Sequence, residues 1–180
     1  ASISQLGDLM GTGTATYSGQ TYIACYEMTR MPMPFWFRGA KYVTPTSPIS
    51  THAIDIDGNV WQWGNMTSSY CMAEGDGLSS PPRNDHYSPS LVLFEGKCPG
   101  PNGRYDNTGA YKAIDIRGQT PHHNPQSGHT THGYEGTVMV LMENGDIWTW
   151  GHNEQGNCGR GQTSTVEYQP GKVAGSYDMI

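Results

Sequence analysis

Two segments of this chain repeat one pattern, and the repeat constrains the fold more than any other feature. Each segment contains an apolar strand, an Asp-Gly or Asn-Gly pair and a second strand that ends in Trp-x-Trp-Gly. The copies align without a gap, from Ile54 against Leu141 to Gly64 against Gly151. Such an internal repeat indicates a fold built from copies of one supersecondary unit.

Each copy is predicted to be a β-hairpin. The pairs Asp57-Gly58 and Asn144-Gly145 favour the positive φ angles of a two-residue type I′ turn, whose twist matches that of the flanking strands. Because side chains alternate along a strand, the two tryptophans of each copy lie on one face of a sheet. Burying an indole removes roughly 150–250 Å² from water, which amounts to roughly 4–6 kcal/mol at about 25 cal/mol per Å². We therefore predict a structural core between packed sheets that contains Trp61, Trp63, Gly64, Trp148, Trp150 and Gly151.

The composition favours an all-β fold and argues against several classes of partner. The 180 residues include 24 Gly and 12 Pro, the mean hydropathy is −0.59, and no segment shows useful helical periodicity. The net charge of −6 comes without a basic cluster, which argues against nucleic acid as a partner. No apolar stretch has the length of a membrane span or the form of a signal peptide, so we expect neither membrane insertion nor export by a signal peptide. The four cysteines lack a C-x-x-C pair and suit reduced thiols better than a disulfide framework.

The second copy continues with a characteristic glycine pattern. It runs Trp150-Gly151-His152-Asn153-Glu154-Gln155-Gly156-Asn157-Cys158-Gly159-Arg160-Gly161, and Pro170-Gly171-Lys172-Val173 follows. This resembles the repeat of the regulator of chromosome condensation family, in which a strand and an Asp-Gly or Asn-Gly turn precede W-G-x-N-x-x-G-x-x-G-x-G and P-x-x-V. The first copy matches less closely, with Ser88-Pro89-Ser90-Leu91-Val92 in the place of the closing strand. The resemblance implies a β-propeller to which each repeat contributes about one four-stranded blade.

The resemblance also implies an organisation of the chain. Two repeats occupy about 40–97 and 98–180, and an N-terminal arm or degenerate blade occupies 1–39. Propellers need roughly 4–8 blades, and two blades alone would leave two Trp-lined faces exposed, a larger patch than soluble monomers carry. We therefore predict that identical subunits complete the ring, with three copies of two blades forming a six-bladed homotrimer.

A histidine-rich insertion separates the first strand of the second repeat from its hairpin. Insertions in one repeat map to loops on one face, where binding residues are often placed. The predicted binding residues of this loop are His122, His123, His129, His132 and Tyr134. Neutral imidazoles bind Zn²⁺ or Ni²⁺, but no standard ligand spacing is met. Two interpretations remain open, a metal site at His129 and His132 and a solvated polar loop.

Calcium binding and catalysis find less support. Asp55-x-Asp57-Gly58 resembles the start of a calcium loop, but Met66 stands where the bidentate acid is required. The chain has no Gly-x-Ser-x-Gly motif, no cysteine with a suitable histidine and no paired carboxylates within one loop that has a supporting context. We predict a protein that is not an enzyme, with no catalytic residues and no cofactor.

A segment rich in Met and aromatic residues precedes the first repeat. It includes Met31, Met33, Phe35, Trp36 and Phe37. Pro32 and Pro34 forbid a central strand and favour an edge strand or an extended arm. Met and aromatic residues are enriched at interfaces, so the segment either docks on a neighbouring subunit or larger lattice, or closes the core of its own chain.

The functional prediction rests on architecture. A short, self-assembling β protein without an export signal is typical of a component of a large particle. We predict a bacteriophage virion decoration (capsid cement) or tail protein, made in the host cytoplasm and located in the virion, whose partners are itself and a capsid or tail lattice. Guanine-nucleotide exchange and chromatin binding, which the resemblance brings in, belong to complete rings. The alternative is a lectin-like module in which Trp36, Tyr87, Tyr105 and Tyr134 stack on carbohydrate.

Overall fold

The fold consists of β-strands and their connections. The structure, a computed structural model, describes residues 2–3, 9–17, 20–30, 33–47, 50–64, 86–99, 110–119, 136–164 and 166–174. No helix occurs within these ranges, and therefore none that is long and apolar enough to cross a membrane.

The strands described form three antiparallel sheets. Sheet 1 contains β1 (Ser2–Ile3), β2 (Leu9–Tyr17) and β3 (Gln20–Arg30) in that order. Sheet 2 contains β4 (Ala40–Ser47), β5 (Ser50–Asp55), β6 (Val60–Gly64) and β7 (His86–Leu91). Sheet 3 contains β8 (Ala113–Gln119), β9 (Thr137–Met142), β10 (Ile147–His152) and β11 (Val166–Lys172). Sheets 2 and 3 are four-stranded meanders, so the predicted all-β class is confirmed.

The two repeated segments are hairpins, as predicted, but their turns are not of type I′. In the β5–β6 hairpin the N–H of Gly58 donates to the carbonyl of Asp55 at 3.0 Å, and the N–H of Asp55 donates to the carbonyl of Asn59 at 3.0 Å. Gly58 has a φ of 86°, whereas Asp57 has no positive φ. These features define a three-residue loop, a type I turn followed by a G1 bulge. The β9–β10 hairpin has the same pattern around Gly145, whose φ is also 86°.

A buried carboxylate holds the turn of the first hairpin. Asp55 is 1% exposed, and its Oδ1 accepts the backbone N–H groups of Asp57 and Asn59, each at 2.9 Å. Its Oδ2 accepts the Asn59 side-chain amide at 2.8 Å and the Trp61 indole N–H at 2.9 Å. Burial raises the pKa of Asp55, and these hydrogen bonds oppose the rise. The second repeat has Met142 at this position, and the Trp148 indole finds no acceptor among the described residues.

Replacing Asp55 by asparagine is expected to lower the free energy of unfolding by about 2 kcal/mol. Asparagine retains one acceptor oxygen, but its amide would face the Asn59 amide and the Trp61 indole, leaving buried donors without an acceptor. Urea denaturation followed by tryptophan fluorescence measures the change. Asp57→Asn is the matched control, since Asp57 pairs with exposed Arg38, and it should cost much less. Equal costs for the two variants would show that the Asp55 hydrogen bonds do not hold the turn.

The main core lies between sheets 2 and 3. Trp148 and Trp150 are 3% and 0% exposed and project from β10 towards sheet 2. There they pack on the face of β5 and β6 that carries Ile54 and Val60. Phe94, which follows β7, contacts both indoles edge-on, with ring centroids 5.5 and 6.0 Å apart. The other buried members of this cluster are Ile54, Val60, Val92, Ala113, Ile116, Val138, Val140 and Met142.

A second cluster covers the other face of sheet 2. Trp61 and Trp63, 2% and 9% exposed, lie there with Ala40 and Ala53. The segment before β4 packs over them, with Trp36 5.2 Å and Phe37 5.8 Å from the Trp61 ring. One chain therefore buries all four indoles, and the expectation of two exposed Trp-lined faces is wrong. Sheet 2 covers the Trp148 and Trp150 pair of sheet 3, and residues 33–37 help to cover the Trp61 and Trp63 pair of sheet 2.

Candidate functional site

Sheets 2 and 3 present two chemically different ends. At the hairpin end, the turns of β5–β6 and β9–β10 lie side by side, because Ala113 donates its N–H to Gly58 and Glu143 donates its N–H to Lys112. At the opposite end, which we call the loop end, β6, β8 and β10 all stop. Their connections to β7, β9 and β11 span 65–85, 120–136 and 153–165. The loop end therefore carries the long connections within both repeats, whereas the connection from β7 to β8, 92–112, begins and ends at the hairpin end.

The predicted histidine-rich binding loop starts and finishes at the loop end. Its flanking residues are Gln119 and Thr137, which pair across β8 and β9. His122, His123, His129, His132 and Tyr134 themselves lie outside the described residues, as does Met31. The described part of the chain contains no group of three His, Cys, Asp or Glu side chains that could hold a metal ion. Metal binding at His129 and His132 stays a prediction.

The connection from β10 to β11 is organised by one buried asparagine. Asn153 is 0% exposed, its Oδ1 accepts the N–H of Cys158 at 2.9 Å, and its amide donates to the carbonyl of Gln162 and the hydroxyl of Ser164, each at 3.1 Å. Its backbone carbonyl also accepts the N–H of Gly156 at 3.0 Å. One side chain thus fixes both halves of the loop. The Asn of the Trp-Gly-x-Asn pattern was the sequence signal for this role.

An ion pair attaches the same loop to sheet 3. Arg160 and Glu167 approach to 2.7 Å and are only 16% and 18% exposed. The Arg160 side chain lies over Gly171, where any Cβ would overlap its guanidinium group. Beside it, the hydroxyl of Thr149 donates to the carbonyl of Cys158 at 2.6 Å. Burial raises the pKa of the Cys158 thiol, although Arg160 opposes the rise, so this thiol is a poor nucleophile and serves the packing of the loop.

The hairpin end carries paired charges. Arg38 holds the pKa of Asp57 below its usual range by hydrogen bonding and charge attraction. Two further pairs lie beside the second hairpin, Lys112 with Glu143 and Lys172 with Asp146, each at 2.7 Å. Each charge already has a partner of opposite sign, so these groups are less available to a ligand than unpaired charges would be.

The predicted interface segment is divided between the core and the surface. Met33, Trp36 and Phe37 pack on sheet 2, which corresponds to the alternative that the segment closes its own core. Phe35, at the corner of a turn in which Phe37 donates its N–H to Pro34, is 100% exposed. Trp36 is also in contact with Trp61 and so has one face unavailable for stacking on a sugar. Tyr87, Tyr105 and Tyr134 lie outside the described side chains.

A buried histidine lies between the sheets. His52 on β5 is 3% exposed, and its ring centroid is 5.7 Å from that of Trp150. Burial lowers the pKa of His52 to about 3, and the Gln62 side chain opposes the shift only in part. A neutral imidazole therefore belongs to the native interface between sheets 2 and 3.

This histidine makes the fold sensitive to acid. The unfolded chain binds a proton at this residue below pH 6.5, whereas the folded chain binds it only near pH 3, so stability is lost as the pH falls between those values. The loss attributable to His52 is roughly 3 kcal/mol at pH 4. His52→Met places there the residue that the second repeat has at the same position, Met139.

Urea denaturation between pH 7 and pH 4 measures the difference. The unfolding free energy of the wild type should fall faster than that of His52→Met, because the remaining ionisable groups are common to both proteins. Parallel curves would show that His52 titrates normally in the folded chain.

Two stacked four-stranded antiparallel sheets, joined by a Trp-x-Trp strand that packs on the sheet before it, have the arrangement of β-propeller blades. The chain therefore consists of β-propeller blades, which confirms the predicted all-β blade fold, and the completion of a ring by oligomerisation stays a prediction.

Comparisons with known proteins identify the type of blade. Residues 144–179 match the model of the regulator of chromosome condensation (RCC1) repeat, which confirms the resemblance predicted from the Trp150–Gly161 segment. No curated protein matches the chain.

Solved structures share the fold over nearly the whole chain. Human WBSCR16 matches with a TM-score of 0.58 and 17% identity, and the match covers 96% of this chain and 34% of the WBSCR16 chain. Yeast RCC1 (Prp20) bound to Kap60 matches with a TM-score of 0.60 and 13% identity, covering 97% and 33%. Prp20p from Saccharomyces cerevisiae, described with its binding to Gsp1p and histones, matches with a TM-score of 0.55 and 12% identity, covering 89% and 30%. The chain spans about a third of the length of these structures.

Proposed function

We propose that this chain is a non-enzymatic protein-binding module that binds its partner through the loop end. The observation that carries the proposal is the common position at which β6, β8 and β10 stop. Long connections on a rigid sheet scaffold are where proteins commonly place binding residues. The hairpin end, by contrast, has the tight β5–β6 and β9–β10 turns and charges that are already paired, and its long connection, 92–112, begins with Val92, Leu93 and Phe94, which are buried.

The comparisons support a protein as the class of partner. The yeast neighbour was solved bound to Kap60, and its other structure was described with binding to Gsp1p and histones. The net charge of −6 favours a partner with a basic surface, because opposite charges steer association. Core histones are therefore a suitable first probe.

Binding of core histones to the immobilised chain tests the proposal. We expect saturable binding by the wild type, and a loss of at least about tenfold in affinity when residues 120–135 are replaced by a Gly-Ser linker of equal length. The double variant Lys112→Ala, Glu143→Ala at the hairpin end is the control, because it removes both charges of one pair and leaves the net charge unchanged. Loss of affinity only in that control would show that histones bind at the hairpin end and not at the loop end. Absence of binding by the wild type would contradict the proposal that the partner has a basic surface.

A narrower version of the proposal is a structural role in a virion, as a decoration or tail protein located there. It rests on composition, and it finds no counterpart among the three solved neighbours named above, which are human and yeast proteins. A capsid lattice would be bound by the same loop end. Carbohydrate binding has less support, because Trp36 is engaged with Trp61.

Self-association into a trimeric ring is the other part of the proposal. Its original reason, exposed Trp pairs, is removed by the burial of all four indoles within one chain. Among the described residues, the outward face of sheet 3, where Met139 is 44% exposed, is an apolar surface open to such a contact.

A further inference from the structure

The turn of the β9–β10 hairpin contains an asparagine in a chemically reactive sequence. Asn144 is exposed and is followed directly by Gly145. In an Asn-Gly pair the backbone nitrogen of the glycine can attack the side-chain carbonyl carbon of the asparagine, because glycine has no Cβ to obstruct the approach. The bond from that carbon to the side-chain nitrogen breaks, ammonia leaves, and a cyclic imide forms. Water then opens the imide to aspartate or isoaspartate.

Two hydrogen bonds direct both ends of the Asn144 amide group to Asp146. The Oδ1 atom of Asn144 accepts the backbone N–H of Asp146, and its Nδ2 donates to Oδ2 of the Asp146 carboxylate, each at 3.0 Å. Ring closure requires the amide group to turn towards the nitrogen of Gly145 and to give up these bonds. We call the contact between the Asn144 amide and the Asp146 carboxylate the clamp.

The attacking nitrogen is restrained as well. The N–H of Gly145 donates to the carbonyl of Met142 at 3.0 Å, and Gly145 is buried. This nitrogen must lose its proton before it can form the new bond, and loss of the proton breaks the hydrogen bond to Met142. In the closed turn, both groups that must react are therefore held by other partners.

We propose that Asn144 is a deamidation site of this protein and that the clamp keeps the reaction slow until the turn opens. Opening one turn requires much less free energy than unfolding the whole chain, so the native protein reacts at a rate set by the fraction of open turns. The inference is independent of the proposed binding function. The other Asn-Gly pair of the sequence, Asn102-Gly103, lies outside the described residues.

Deamidation would change the charge of the hairpin end. In the aligned first repeat, Asp57 stands at the position of Asn144 and Asn59 at that of Asp146, so each turn has one carboxylate and one amide there. The reaction gives the second turn two carboxylates and removes the donor of the clamp. Isoaspartate also inserts one carbon, the Cβ, into the main chain of the turn. Asn144→Asp reproduces the aspartate product and is expected to unfold at a lower temperature than the wild type.

Peptide mapping by mass spectrometry tests the site, because conversion of the amide to an acid changes the mass of the peptide. The full chain is incubated at mildly alkaline pH, in native buffer and in urea. We expect conversion of Asn144 in both, at least about tenfold more slowly in the native chain. Absence of conversion in the native chain would overturn the site, and equal rates in the two conditions would overturn the clamp.

Three variants test the clamp directly. Asp146→Ala removes the acceptor of the Asn144 amide and is expected to raise the native rate about fivefold, the equivalent of one hydrogen bond. Asp146→Asn retains an acceptor oxygen and introduces the residue of the first repeat, so its rate should stay near that of the wild type. Lys172→Ala removes the ion pair that Asp146→Ala also loses, and should leave the rate unchanged.

Circular dichroism checks that each variant is folded. A folded Asp146→Ala chain that reacts at the wild-type rate would overturn the clamp, as would a Lys172→Ala chain that reacts as fast as Asp146→Ala. Should Asp146→Ala fail to fold, the native and urea rates of the wild type still decide whether the folded turn slows the reaction.

Discussion

Replacing Trp150 by alanine is expected to lower the free energy of unfolding by about 3–5 kcal/mol, the range found when a large aromatic side chain is removed from a packed core. Trp150 is 0% exposed. It contacts His52 of sheet 2 and Phe94, which follows the last strand of sheet 2 in the chain. These contacts join the two four-stranded sheets. Replacing Trp150 by alanine would therefore leave a cavity between sheets 2 and 3. The neighbouring backbone belongs to hydrogen-bonded strands and has little freedom to collapse into it.

Guanidinium denaturation followed by circular dichroism measures this loss. Phe35→Ala is the surface control, because Phe35 is fully exposed and its removal should change nothing measurable. Trp150→Phe separates packing from hydrogen bonding. The Trp150 indole N–H has no acceptor among the described residues, so phenylalanine should retain most of the stability. A Trp150→Ala protein as stable as Phe35→Ala would mean that sheets 2 and 3 do not share a core.

Replacing Gly151 by alanine is expected to lower the free energy of unfolding by about 3 kcal/mol or more, through two effects that add. Gly151 has a φ of 105°, which is costly for a residue with a side chain. A Cβ at this position would also overlap the carbonyl oxygen of Gly136, and that oxygen accepts the N–H of His152 at 2.9 Å. Relief requires β9 and β10 to separate at the loop end, which breaks their pairing.

Gly161→Ala isolates the conformational effect. Gly161 has a φ of 75°, but a Cβ there would meet nothing within 4 Å, so its substitution should cost only about 1 kcal/mol. Thermal and urea denaturation of the two variants side by side give the comparison. Equal losses would show that positive φ alone accounts for the effect and that the approach of Gly136 is unimportant.

Local pattern was sufficient to predict the hairpins, the shared face of each Trp pair and the RCC1 repeat. These features depend on residues that are close to one another in the chain. Because the same local pattern occurs twice in the sequence, the prediction was strong. The turn type was wrong in both repeats, because a bulge at Gly58 and at Gly145 lengthens each loop to three residues, and an Asp-Gly or Asn-Gly pair is compatible with that turn as well as with type I′. Likewise, nothing in the order of residues 33–37 decided between an intermolecular arm and a cover for Trp61.

The candidate site shows the same division. The sequence located the histidine-rich insertion, and the strand order added that the 65–85 and 153–165 connections begin at the same end. The exposure of Met139, whose counterpart His52 in the first repeat is buried, was not predicted, because it depends on which sheet packs against which.

By itself, then, the sequence determined that this protein is an all-β chain with two repeated hairpins, the second of which belongs to an RCC1-like repeat, because strand alternation and turn residues act over short distances. Only the tertiary structure decided that one chain buries all four indoles, that His52 lies neutral between the sheets, and which face of the last sheet is left open. Those outcomes depend on which sheet packs against which, and packing joins residues that are far apart in the chain.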